Sequence, residues 1–124
     1  MKSIWVTACL VVLVMPMLGV SDVHASKRRS LIVGSNAAPS GLLPLRYAHH
    51  DARKVYDVLV ELGGVERDDA RLLLEPSASE LRVALSMLRS EVGPGEQVFF
   101  YYSGHADERG LLLGRDILTQ SEIR

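Results

Sequence analysis

Three short apolar runs are separated by two stretches of helical spacing along most of this chain. Residues 29–36, "RSLIVGSN", carry β-branched Ile32 and Val33 and stop at Gly34 and Asn36, which predicts a buried strand followed by a loop. "AAPSGLLP" has the Pro/Gly/Ser density of a connection. From Ala48 the apolar positions fall at Ala52, Val55, Tyr56, Leu59 and Leu62, one face of a helix that Gly63 and Gly64 stop. "ARLLLE" (70–75) predicts a second strand, broken by Pro76. Ser77 and Glu80 then have capping-box spacing, each side chain satisfying a backbone N–H at the other end of a first helical turn. Leu81, Ala84, Leu85, Leu88 and Val92 trace the face of that helix until Gly93-Pro94-Gly95 ends it.

"QVFFYYS" (97–103) predicts a third strand, and its unbroken apolar character suits a central strand covered on both faces. "ERG" is a tight reversal and "LLLG" a short returning strand. Thr119 and Glu122 repeat the capping box, so a helix begins near Arg124, and a sequence that stops at a freshly capped helix reads as a fragment. Alternating strands and helices imply an α/β domain of three layers, a mostly parallel sheet with helices on both faces.

The apolar stretch "IWVTACLVVLVMPMLGV" after Lys2 is followed by "SDVHA", where Val23 and Ala25 make the small-residue pattern of a signal peptidase site. Residues 1–25 are therefore expected to be a secretory signal and 26–124 the folded domain, exported to the periplasm or medium. The rival is an uncleaved membrane anchor, since about 17 apolar residues approach the minimum span, with Lys27, Arg28 and Arg29 on the cytoplasmic side. If the signal is cleaved, no stable membrane association follows.

Composition then removes whole classes. Hydrophobic residues at 48% and charged residues at 23% are ordinary globular values, which excludes disordered and fibrous chains. A net charge of −1 leaves no basic footprint for nucleic acid. The single cysteine, Cys9, lies in the expected signal, so neither a disulfide nor a cysteine metal cluster can form within 26–124. "GSNAAPSG" has neither the Lys-Ser/Thr of a phosphate loop nor dinucleotide spacing, which weakens the reading as an unrelated doubly wound small-molecule-binding domain.

The candidate chemistry sits in "YYSGHADERG". In parallel sheets functional groups gather beyond the carboxyl ends of the strands, where His105 lies. Gly104 before it allows unusual dihedrals and close approach. The spacing alone fits equally a loop histidine bonded to a neighbour. His49, His50 and Asp51 with His105 and Asp107 could be imagined as a metal site, but adjacent helical histidines point about 100° apart. Asp107 and Glu108 read as solvated hairpin residues, and Tyr101 and Tyr102 as strand residues packing one face each.

"VFFYYSGHADERGLLLG" resembles the histidine strand and hairpin of the caspase-like cysteine peptidases, the group of caspases, metacaspases and their bacterial relatives. "SLIVGSN" is similar to that family's first strand, and "LRYAHHDARKVYDVLVELGG" to its next element, with Leu45 six residues before Asp51-Ala52. The resemblance spans about residues 30–124. It implies proteolysis by a Cys-His dyad: a thiolate attacks a peptide carbonyl and a histidine manages the protons. Carried over, His105 is the acid/base and the backbone N–H of Ala106 is an oxyanion donor. The family has glycine where Ala106 stands; if the site demanded positive φ, its Cβ would cost on the order of 1 kcal/mol. The nucleophile is expected on a later strand, in an Asp-x-Cys context, which leaves residues 26–124 inactive alone. Loss of that thiol would instead leave a catalytically inactive interaction module.

The resemblance also gives Asp51 a substrate-binding role, an acidic pocket for Arg or Lys before the cut bond. Its other reading is a helix N-terminal carboxylate, worth about 0.3–1 kcal/mol. Leu45 stands where caspases cutting after aspartate have arginine, Arg46 is one residue away, and Tyr47-Ala48 replaces the family's Gly-Cys. The implied partner is a protein or peptide substrate. No cofactor or metal is implied; the calcium dependence of some metacaspases involves acidic positions without a match here.

Overall fold

The computed structural model describes residues 26–124. The expected signal at 1–25 lies outside the described residues. Among those described, no helix is long and apolar enough to cross a membrane.

Leu31, Ile32 and Val33 are fully buried and form the middle of β1 (Arg28–Gly34). Each contributes about 1.5–3 kcal/mol by leaving water. β1 pairs in parallel with β2 (Ala70–Leu74) on one side and β3 (Gln97–Ser103) on the other, giving the order β2-β1-β3. The crossovers are α1 (Ala48–Glu61), followed by a 3₁₀ turn at Arg67–Asp69, and α2 (Ala78–Glu91).

Alternation along β1 sends Leu31 and Val33 to one face and Ile32 to the other. Leu31 and Val33 pack with Ala78, Leu81, Ala84, Leu85 and Leu88 of α2, the stripe expected from the sequence. On the opposite face α1 comes so close that a Cβ on Gly34 would lie 2.6 Å from the Ala48 carbonyl oxygen and 2.9 Å from the Ala52 Cβ. Small residues at 34, 48 and 52 make that approach possible. Both capping boxes form, Ser77 with Glu80 and Thr119 with Glu122.

One expectation fails. β1, not β3, is the central strand of the described sheet, and β3 is at its edge with Val98 43% and Phe99 39% exposed. Phe99 is therefore not a core residue, whereas Phe100 and Tyr102 pack against the α2-side cluster. An apolar run reports that a strand is sticky on both faces, not which strands stand beside it.

After β3 the chain builds a second, antiparallel sheet: β4 (His105–Asp107), β5 (Gly110–Leu113) and β6 (Asp116–Thr119), then α3 (Gln120–Ile123). Leu113 and Leu118 carry this sheet into the α2-side core.

Candidate active site at the carboxyl end of the sheet

His105 is the first residue of β4, separated from the end of β3 by Gly104 alone, and is half-buried. Its position is fixed from below by Tyr102. The Tyr102 hydroxyl lies 2.9 Å from the carbonyl oxygens of both His105 and Leu112 and donates its one proton between them, pinning the root of the β4–β5 hairpin to β3. Burial, and then the nearby charge of Glu75, push the Tyr102 phenol up to about 12. Tyr102 is thus more than a packing residue. Gly104 has its reason here as well. It is not among the positive-φ glycines, but a Cβ on it would collide with the Tyr102 hydroxyl.

From above, the imidazole is held by the loop between β1 and α1. His105 Nε2–H donates to the Leu43 carbonyl oxygen at 3.0 Å. A carbonyl only accepts, so this contact puts the neutral ring's proton on Nε2 and leaves Nδ1 as the acceptor. The loop itself is braced across its mouth. Leu45 N–H donates to the Asn36 carbonyl at 2.8 Å, and Ala48 N–H to Asn36 Oδ1 at 3.0 Å, while Ser35 N–H joins the Ser103 carbonyl at 2.9 Å. Strand ends, loop and imidazole form one hydrogen-bonded rim.

Glu75, the residue after β2, belongs to the same rim, although in the sequence it only closes an apolar run. Its carboxylate accepts from Asn36 N–H, from Ala37 N–H and Ser35 Oγ at 3.3 Å each, and from His49 Nε2 at 2.6 Å. Partial burial pushes its pKa up, but the Asn36 N–H, His49 and the Ala37 N–H outweigh that and hold it below the usual carboxylate range. Its φ of 53° costs a side-chain-bearing residue on the order of 1–2 kcal/mol. The available signal was an acidic residue closing an apolar strand at the end where functional groups gather.

Ala106 follows His105 in β4 with no positive φ, so its Cβ carries none of the strain allowed for above. Asp51 lies in the first turn of α1, exposed, and among the described residues it makes no ion pair or side-chain hydrogen bond with His105 or the rest of the rim. The imagined histidine–aspartate metal set is dispersed: His49 pairs with Glu75 at 2.6 Å, Asp107 with Arg109 at 2.6 Å. Chemically, the rim offers a proton acceptor of fixed tautomer beside the exposed backbone of an edge strand.

No curated protein matches this chain. A family model described as the caspase domain matches residues 27–122, nearly the whole described structure. Its parallel sheet flanked by helices agrees with the fold expected of that group. The chain belongs to the caspase-domain family, a family of peptidases that act on proteins.

Proposed function

We propose that residues 26–124 are the histidine-bearing part of a caspase-type cysteine endopeptidase, with His105 as the acid/base. The observation that carries this reading is the tether between His105 Nε2 and the Leu43 carbonyl, which leaves Nδ1 to take a proton. In the reaction Nδ1 accepts the proton of a cysteine thiol, and the thiolate attacks the peptide carbonyl carbon. The imidazolium then gives that proton to the departing amine, and water, deprotonated by the same ring, hydrolyses the acyl-thioester.

The oxyanion donor in this reading is the Ala106 N–H. Among the described residues β4 is an edge strand pairing only with β5. Alternation from Asp107↔Gly110, the pair that closes the two-residue turn, makes Ala106↔Leu111 the open pair, with its N–H groups turned outward. The thiol comes from outside residues 26–124, which hold no cysteine. Asp51, exposed in the first turn of α1, is the candidate for a cationic substrate side chain.

The test is a thiol-directed activity probe and peptide hydrolysis on the full-length protein. His105→Ala should lower turnover by about 10²–10⁴-fold while the fold survives. Labelling and turnover at wild-type rate in that variant would remove His105 from the mechanism. A full-length protein without a reactive thiol would favour the inactive interaction module.

A further inference from the structure

Glu75 is saturated. A carboxylate has about four acceptor positions, and these face four donors on two segments: Ser35 Oγ and the N–H groups of Asn36 and Ala37 after β1, and His49 on α1. A group with its lone pairs committed inward is a poor ligand for substrate and a good fastener. Among the described residues Glu75 also has the one positive φ outside glycine, while its own N–H donates to the Gly34 carbonyl at 2.8 Å. The left-handed residue ends β2 against β1 at the cost of local strain, which persists where the surroundings hold it in place.

The fastened residues lead directly to the imidazole. Asn36, gripped through its N–H by Glu75, uses its carbonyl and side chain to hold Leu45 and Ala48. Leu43, between Asn36 and Leu45, presents the carbonyl that accepts the hydrogen bond of His105 Nε2–H. We infer that Glu75 is a positioning residue for His105, acting through the 35–47 loop to fix the tautomer and direction of the ring. The inference rests on the assignment of His105 as acid/base.

The experiment uses the full-length protein with ¹⁵N-labelled histidine, the His105 ring signals assigned by their loss in His105→Ala. In the wild type at pH above the ring's titration, one nitrogen should read as protonated and the other as bare, the signature of a single tautomer. In Glu75→Gln, whose amide cannot accept at both oxygen positions, the two nitrogen signals should move toward each other as the tautomers mix. Turnover should fall by roughly 10–100-fold with little change in KM, as for a misoriented catalytic group. Glu96→Gln weakens the pair with Arg29 at the opposite end of the sheet and controls for general destabilisation.

A folded Glu75→Gln protein with wild-type ring signals and turnover overturns the inference, as does an equal ring shift in Glu96→Gln. If Glu75→Gln does not fold, Glu75→Asp decides. Its shorter carboxylate cannot reach all four donors, so a smaller shift in the same direction is expected, and wild-type signals there also overturn the inference. A ring shift in Glu75→Gln, in a protein whose wild type lacks thiol activity, upholds the positioning role while removing the peptidase reading.

Discussion

The two ends of the parallel sheet solve opposite problems with the same kinds of residue. At the amino end Arg29, its side chain 13% exposed, meets Asp69 at 2.7 Å, Glu96 at 2.8 Å and Glu91 at 3.6 Å. Arg71 adds a 2.6 Å pair to Glu91, and Lys27 a 3.1 Å pair to Asp69. Each of these charges answers another, and the Arg29 hydrogen bond holds Glu96 below its usual pKa. At the carboxyl end the bonds of Glu75, Asn36 and Tyr102 also run inward, but they converge on loops and on one ring, which keeps a nitrogen to spare. Polar satisfaction at one end closes a structure; at the other it aims a side chain. Substitutions at the two ends should therefore separate stability from activity.

Gly34→Ala should have the largest effect on folding. Its Cβ would press on the Ala48 carbonyl and the Ala52 methyl, and such overpacking costs about 1–3 kcal/mol. Because α1 carries His49 and anchors the 35–47 loop, turnover should fall too; denaturant melts and activity on the same sample check both. Full activity in a destabilised protein would show that the rim tolerates displacement of α1.

Tyr102→Phe comes next, at about 0.5–1.5 kcal/mol for the lost hydroxyl, with reduced turnover because the hairpin root is freed. It has a pH signature as well. The folded phenol titrates at about 12 against an ordinary 10, so its stabilising share is intact below pH 10 and is lost as pH rises toward 12. The difference in stability between wild type and variant should shrink over that window, as measured by urea melts at stepped pH. A constant difference would show that the phenol is not buried as described.

The smallest effect belongs to Arg29→Lys. It keeps the charge but loses the planar fork that meets several carboxylates. Stability should drop slightly and turnover per folded molecule should not change. A clear loss of turnover would break the contrast between the two ends.

Local pattern made most of the secondary structure legible. The Leu81–Leu88 stripe, both capping boxes and the apolar runs were readable because each depends on neighbours a few residues apart. The edge position of β3 was not, because which strand lies beside which is decided 40 to 70 residues away. β6 leaves no sign for a different reason: "DILT" is too short to show a period. At the rim, His105 stood out as an imidazole at the end of a strand. Its Leu43 partner is a main-chain carbonyl, for which no residue type gives a sign. Glu75 looked like an ordinary strand end because its function depends on a left-handed turn that glutamate seldom takes.

The centrality of β1 carries a consequence for biosynthesis. Both its hydrogen-bonding partners are encoded later, the farther one beginning at Gln97. At a ribosomal pace of about 5–20 residues per second, Leu31, Ile32 and Val33 wait several seconds for their second neighbour. During that interval the most water-averse segment of the described domain is a natural client for a holding chaperone, and synonymous changes that slow translation between the two strands would lengthen its exposure.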